Sequence, residues 1–275
     1  MVRYQVCDIV VDWLRRSPIL SVAADTVPIV GLSGPQGAGK TTIMQALCDT
    51  LAEDGLQAVS ISIDDFYLTH SEQVALARSH PDNPYLQHRG YPGTHDVYLG
   101  AQTLQSLRLL TSYQSTKVPC YDRFAYQGEG DRIQQKNWRV IVGPLHLIIL
   151  EGWMLGFTPV EERLLGDKHL GVVNTRLAEY RNWHSFLRGF IWIEPEDPGF
   201  VRDWRIEAED RARAEGRTAM SKRRTKAFVE AFLPAYFAYY PGLRKRAPTT
   251  LPHLRILIGK NREVRTVSTD WNGGG

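Results

Sequence analysis

The chain is poor in the residues that build sulfur- or nitrogen-based sites. Its three cysteines, Cys7, Cys48 and Cys120, are odd in number and widely spaced, and none forms a C-x-x-C pair. That excludes a disulfide framework and a cysteine-held zinc. None of the eight histidines stands four residues from another, so the common helical spacing of a metal site is missing too. No uninterrupted apolar run reaches the roughly 20 residues of a membrane-spanning helix. The first apolar stretch is broken by Asp8 and Asp12 and is followed by no small-residue cleavage site, unlike a secretory signal. These absences lead us to expect a cytoplasmic protein. Strong charge is also lacking: 33 basic against 30 acidic residues leave +3, enough to favour an anionic ligand without demanding nucleic acid.

What remains is an ordinary globular composition, 43% hydrophobic and 23% charged over 275 residues. That length fits one large α/β domain or a domain with an added subdomain. Val6, Ile9, Val10, Trp13 and Leu14 fall at helical spacing, and Ser17-Pro18 stops that helix. Residues 28–33 form an apolar run into a glycine-rich turn. A helical pattern follows over 40–53, Gly55 ends it, and 58–63 reads as a second strand. Strand, helix, strand at this spacing predicts a βαβ unit and a parallel sheet. Residues 145–150, nearly all apolar, suit a strand buried on both faces, and 188–194 and 254–259 are further strand candidates. Helices are expected over 97–110, 174–186, 198–214 and 222–240. Residues 69–96, rich in Pro, Gly and His, read as an elaborated loop, and the closing DWNGGG as a frayed end.

The turn reads Gly34-Pro35-Gln36-Gly37-Ala38-Gly39-Lys40-Thr41, followed by Thr42. This G-x-x-x-x-G-K-T pattern lets backbone N–H groups converge on phosphate oxygens and ends on a helix N-terminus. Lys40 is placed to reach the β- and γ-phosphates, and the Thr41 hydroxyl to ligate Mg²⁺. A phosphate loop also needs an acid at the end of a neighbouring strand on the metal side. Glu151, directly after the apolar strand, is the candidate. Arg202 and Arg205 share one helical face and could neutralise a transferring phosphoryl group. Beside Glu207, Glu209 and Asp210 they could equally be a solvated, salt-bridged face. Asp64 and Asp65 close the strand after the phosphate-loop helix, where ligands gather in parallel sheets. An aspartate there can take the proton from an attacking hydroxyl. Two carboxyls so close cannot both ionise without one pKa rising.

A phosphate loop followed by a strand ending in Asp-x-Phe-Tyr resembles the small-metabolite kinases of the uridine kinase, phosphoribulokinase and bacterial pantothenate kinase group. The ordered blocks SIDDFYLTH, RGYPGTHD, VPCYDRFAYQGEGDR, LEGWMLGF, VNTRL and AMSKRRTKAFVEAFLPAYFAYYP narrow this. Together they are similar to the plant-type D-glycerate 3-kinase family and its fungal ATP-binding relatives, from about residue 29 to 260. The resemblance implies a P-loop kinase fold: a mostly parallel sheet flanked by helices, with a helical lid and an elaborated acceptor side. It implies ATP- and Mg²⁺-dependent phosphorylation of D-glycerate to 3-phosphoglycerate, with Asp64 as base. The corresponding layout is an N-terminal helix and linker over 1–27, a kinase domain over 28–260 and a tail over 261–275. Acceptor-side insertions would fall near 69–96 and 118–138, and a lid near 197–220.

A glycerate pocket needs a cation for the carboxylate and polar groups for two hydroxyls. Arg89, Arg123 and Arg132 lie in the matching blocks, with Asp65, Tyr67, His95, Asp96, Tyr121 and Asp122 nearby. The expected assignment puts Arg132 or Arg89 on the carboxylate and Asp96 and Tyr121 on hydroxyls. Trp153 and Phe157 read as packing residues. A uridine- or pantothenate-like acceptor, or an ATP-binding switch without small-molecule transfer, stays open. The basic SKRRTK and LRKR segments read as solvated helix ends, so neither nucleic acid nor membrane is an expected partner.

Overall fold

A computed structural model of the chain describes residues 2–20, 26–216, 219–248 and 252–269, with side chains from residue 5 onward. The elements follow in the order α1 (Val2–Arg16), β1 (Ile29–Ser33), α2 (Lys40–Glu53), β2 (Ala58–Ser62), α3 (His70–Ser79) and α4 (Val97–Arg108). Four short strands come next: β3 (Ser115–Val118), β4 (Tyr121–Asp122), β5 (Asp131–Arg132) and β6 (Arg139–Val142). The chain continues through β7 (Leu147–Gly152), α5 (Leu170–Arg176), α6 (Arg181–His184), β8 (Leu187–Pro195), α7 (Val201–Ala214) and α8 (Lys222–Glu230). It ends with α9 (Leu233–Lys245), β9 (His253–Ile258) and β10 (Val264–Ser268).

The central sheet has the order β10-β9-β8-β1-β7-β2, parallel throughout except for the antiparallel edge strand β10. Strands β1 and β7 are buried along their whole length, which is why they read as unbroken apolar runs. The outer strands β2 and β9 alternate buried and half-exposed positions. Helix α2 lays Ile43, Met44, Leu47 and Leu51 on the sheet, one stripe at helical spacing. Gly55, at φ 76°, turns the chain back toward β2. Helix α1 buries Val6, Val10, Val11 and Leu14 against the same layer.

Because the strands are parallel, the ends of β1, β7 and β2 emerge side by side. In register, Glu151 of β7 lies between Leu32 of β1 and Ser62 of β2. The phosphate-loop turn, Glu151 and the Asp64–Asp65 pair are thereby brought to one edge by strand pairing alone.

Four details depart from the sequence expectations, each for a local reason. The stretch 69–96 contains α3, opened by a capping box in which the Thr69 side chain and Glu72 satisfy each other's backbone N–H groups. The helix expected over 222–240 is two helices, because Pro234 in the first turn of α9 cannot continue α8. The helix expected over 174–186 is α5 and α6 joined by a tighter turn at Leu177–Tyr180. Residues 264–268, expected in a tail, form the edge strand β10; DWNGGG lies outside the described residues. Among the described residues no helix is long and apolar enough to cross a membrane.

Two aromatic clusters hold the segments that carry Phe66, Tyr91 and His95 to the sheet. Trp183 packs on Phe66, His95 and Tyr180, and its indole N–H donates to Val97 O at 2.9 Å. Trp153 packs on Tyr91, Phe232 and Tyr236, and Phe157 is buried beside it, as the packing reading of both required. Trp183 is fully buried, so Trp183→Ala should cost about 3–5 kcal/mol. Urea denaturation would show it as a lower midpoint at unchanged slope.

Candidate active site

The phosphate loop is shaped by backbone and clamped from three directions. Gly37 and Gly39 hold φ of 80° and 91°, a region that side chains disfavour. A Cβ on Gly37 would also stand 2.6 Å from Cβ of Trp204, so α7 rests directly on the loop. From α9, the Tyr236 hydroxyl accepts the Gln36 N–H at 3.2 Å. From the β9–β10 turn, Arg262 donates to Gly37 O at 2.9 Å while stacking over Trp204 and pairing with Glu207. Gly39 caps α2 without a side-chain bond, so no side chain occupies the free N–H groups of its first turn. Ala38 is buried beneath the loop, and Thr41 and Thr42 are exposed at the helix start. Lys40 folds back to donate to Pro35 O at 3.1 Å. Burial lowers its pKa, and the carboxylates of Glu151 and Asp64 oppose that.

Glu151 is the buried acid of the site. Its Oε1 accepts from the Ser62 hydroxyl at 2.7 Å, whereas Oε2 is buried with no hydrogen-bond partner. Burial raises the pKa of this carboxyl, and Lys40 pulls it down. An orphaned carboxylate oxygen beside a phosphate-loop lysine suits a hard divalent cation. Among the described residues no group of three or more His, Cys, Asp or Glu forms a metal cage. A Mg²⁺ that draws most of its oxygens from water and phosphate needs none, and Glu151 and the Thr41 hydroxyl are the residues that would hold it.

Asp64 and Asp65 point to different tasks. Asp64 receives a hydrogen bond from Arg123 at 2.9 Å and is partly exposed toward the acceptor side. Asp65 turns inward and accepts the Tyr121 backbone N–H at 3.2 Å, anchoring β4. Burial raises the Asp65 pKa to about 6, against the pull of that hydrogen bond and Arg139. One carboxyl of the pair is thus raised, as their proximity in sequence suggested, although burial outweighs the charge of Asp64 as the cause.

Around Asp64 the acceptor side is aromatic and polar. The Tyr67 phenol is held protonated by burial and by the nearby Asp64 charge. Its ring stacks on His95 at 4.4 Å and meets Tyr121 edge-on at 5.3 Å. His95 lies 2.8 Å from the Tyr180 hydroxyl through Nδ1, while its Nε2 is buried without a partner. Burial lowers the His95 pKa to about 4, so the ring is neutral at pH 7. Arg89 orders the following loop: it donates to the carbonyls of Gly128, Glu129 and Arg123 and lies over the Tyr121 ring. Arg132 is nearly enclosed, held by Asp96 at 3.1 Å and Glu72 at 3.4 Å. Asp96 caps α4 through Leu99 N–H, and Asp122 accepts Phe124 N–H at the surface.

No family model matches the chain. Among curated proteins it is 40% identical over 239 residues to the chloroplastic D-glycerate 3-kinase of Arabidopsis thaliana, covering 85% of this chain and 52% of that one. It is 34% identical to an uncharacterized kinase of Schizosaccharomyces pombe, covering 85% of this chain and 88% of the relative. The solved D-glycerate 3-kinase of Cryptococcus neoformans superposes with a TM-score of 0.86 at 30% identity, covering 98% of this chain and 99% of that one. The chain belongs to the D-glycerate 3-kinase family. It spans about half the length of the plant relative and nearly all of the fungal structure.

The fold is that of the P-loop kinases, and the structure brings Lys40, Glu151 and Asp64 to one edge of the sheet. Other expected site residues it engages elsewhere. Arg202 is bound to Glu230 of α8 at 2.6 Å, and Arg205 to Glu209 at 2.6 Å while lying over Phe228. Both guanidiniums make their ion pairs within the α7–α8 pair, while Nε of Arg205 is buried without a hydrogen-bond partner. Sequence reasoning passed over Ser62, Trp204, Tyr236 and Arg262. Only the position of Ser62, two residues before Asp64, carried any hint of its neighbour.

The raised pKa of Asp65 has a consequence for stability. The fold favours the protonated carboxyl, so this contribution is complete below the ordinary value near 3.8 and is lost as pH rises through about 6. Asp65→Asn keeps an acceptor for Tyr121 N–H and removes the buried charge. It should stabilise the protein at pH 8 by about 1–2 kcal/mol and by nothing near pH 4, read as the difference in Tm from wild type at each pH.

Proposed function

We propose that this chain transfers the γ-phosphoryl group of ATP to the 3-hydroxyl of D-glycerate, yielding 3-phosphoglycerate and ADP. The observation that carries the reading is the position of Asp64. It lies in the turn directly after β2, the strand next to that of Glu151, close enough for its charge to be felt by Lys40, and it is partly exposed beside Arg123. The names of the plant and fungal relatives support the same substrate.

Backbone N–H groups of the loop from Gln36 to Thr41 would cradle the phosphates. Lys40 would exchange the Pro35 carbonyl for phosphate oxygens. Glu151 and the Thr41 hydroxyl would hold Mg²⁺, which when bound neutralises phosphate charge. Asp64 would accept the hydroxyl proton as the acceptor oxygen bonds to the γ-phosphorus. The bond from that phosphorus to the bridging oxygen breaks, and its electron pair leaves with ADP. Tyr67, Tyr121 and neutral His95 would line the acceptor pocket and exclude water.

ADP release with Mg²⁺-ATP should rise with D-glycerate and stay near background with L-glycerate, uridine or pantothenate. Asp64→Asn should lower kcat about 10³-fold while ATP still raises Tm, since the amide keeps the shape of the side chain but cannot take the proton. An acceptor preference for uridine or pantothenate, or no acceptor dependence at all, would overturn the assignment.

A further inference from the structure

Three arginines reach the acceptor side, and they differ in what their donors already hold. Arg89 spends its N–H groups on three backbone carbonyls, so releasing it would release the loop. Arg132 is 12% exposed and neutralised by Asp96 and Glu72. Arg123 is different. Its side chain is 57% exposed, and among the described residues its one ion-pair partner is Asp64, at 2.9 Å.

That contact sets a conflict. The Arg123 N–H occupies Oδ2 of Asp64, an oxygen that an incoming hydroxyl would have to reach for the base to take its proton. Lys40 cannot take an acceptor's anion, since its charge belongs to the phosphates. The guanidinium of Arg123 also lies close enough to Lys40 and Glu151 for each to feel its charge. It therefore stands at the junction between nucleotide and acceptor. Its backbone is anchored on both sides: Arg89 grips Arg123 O, and Asp122 Oδ1 fixes the next N–H. The side chain can change partner without moving the loop.

We propose that Arg123 is the residue that receives the acceptor's carboxylate, and that its transfer from Asp64 to that carboxylate frees the base for proton abstraction. This rests on the reading of Asp64 as the base of an acceptor kinase. A planar carboxylate matches the two-pronged guanidinium better than a single carboxylate oxygen does. An acceptor bearing a carboxylate releases Asp64, whereas a neutral polyol leaves it capped. Selection for hydroxy acids is then built into the base itself. Arg123, rather than Arg89 or Arg132, becomes the cation of the pocket.

The test compares D-glycerate with its uncharged amide, D-glyceramide, on wild type, Arg123→Met and Arg123→Lys. Wild type should strongly prefer D-glycerate. Arg123→Met should raise the D-glycerate KM about 100-fold, leave the ATP KM nearly unchanged and collapse the preference between the two acceptors. Arg123→Lys should fall between, because an ammonium keeps the charge but not the fork. Added guanidinium ion should restore part of the D-glycerate activity of Arg123→Met. Equal slowing of both acceptors, or a raised ATP KM, would place Arg123 on the phosphoryl group and overturn the proposal. Wild type inert toward D-glycerate would fail one step earlier, at the function itself, and would take the proposal with it. Because Arg123 is a loop residue with an exposed side chain, retention of the ATP-induced rise in Tm verifies that each variant is folded.

Discussion

The constraint on which the rest depends is the burial of one ammonium group. Lys40 is half-buried at the start of α2, directly after the phosphate loop, and negative charge nearby offsets the cost of that burial. Glu151 and Asp64 supply it, each from the end of a different parallel strand. Glu151 in turn is a buried acid with one oxygen unpaired, which Lys40 helps to keep ionised. Asp64 is steadied by Arg123. Lys40 and Glu151 thus offset part of each other's burial cost, and Arg123 and Asp64 add their charges from the rim. A phosphate and a divalent cation would enter a site already poised for them, with no new charge to bury unpaired.

Around that core the phosphate loop is held by parts of the chain far from it in sequence. Trp204, Tyr236 and Arg262 arrive from α7, α9 and the β9–β10 turn, and each touches Gln36 or Gly37. The antiparallel strand β10 matters for this reason: it returns the turn carrying Arg262 to the loop. The α7–α8 pair is tied by Arg202–Glu230, a half-exposed contact of modest strength. Helix α7, which rests on the phosphate loop through Trp204, is therefore joined to α8 in part by a bond that can be remade.

On the acceptor side, shape comes from aromatic packing and chemistry from a few polar atoms. Trp183 fixes the turn that carries Asp64 by packing on Phe66, and fixes α4 by bonding Val97 O. The same packing sets His95 and Tyr67 face to face. The short ribbons β3–β6 and β4–β5 add little core of their own. They hang from the domain through Asp65–Tyr121, Arg89 and the bond from Arg139 to Ser60 O. Two- to four-residue strands bounded by polar loops have no periodicity to detect, and so they escaped the sequence reading.

The sequence by itself determined the class of the fold and the shape of the phosphate-loop turn. A phosphate loop is local: its glycines, lysine and threonine are adjacent in the chain and work through the backbone they shape. Long apolar strands declare themselves the same way, and so do the two aspartates at the end of β2. The acceptor half was decided only by tertiary structure. Three arginines in similar contexts are equivalent candidates in a string of letters. In space Arg89 is consumed by carbonyls, Arg132 by two carboxylates, and only Arg123 meets Asp64. The physical reason is that a guanidinium's role depends on which partners exhaust its donors, and those partners lie between 34 and 60 residues away.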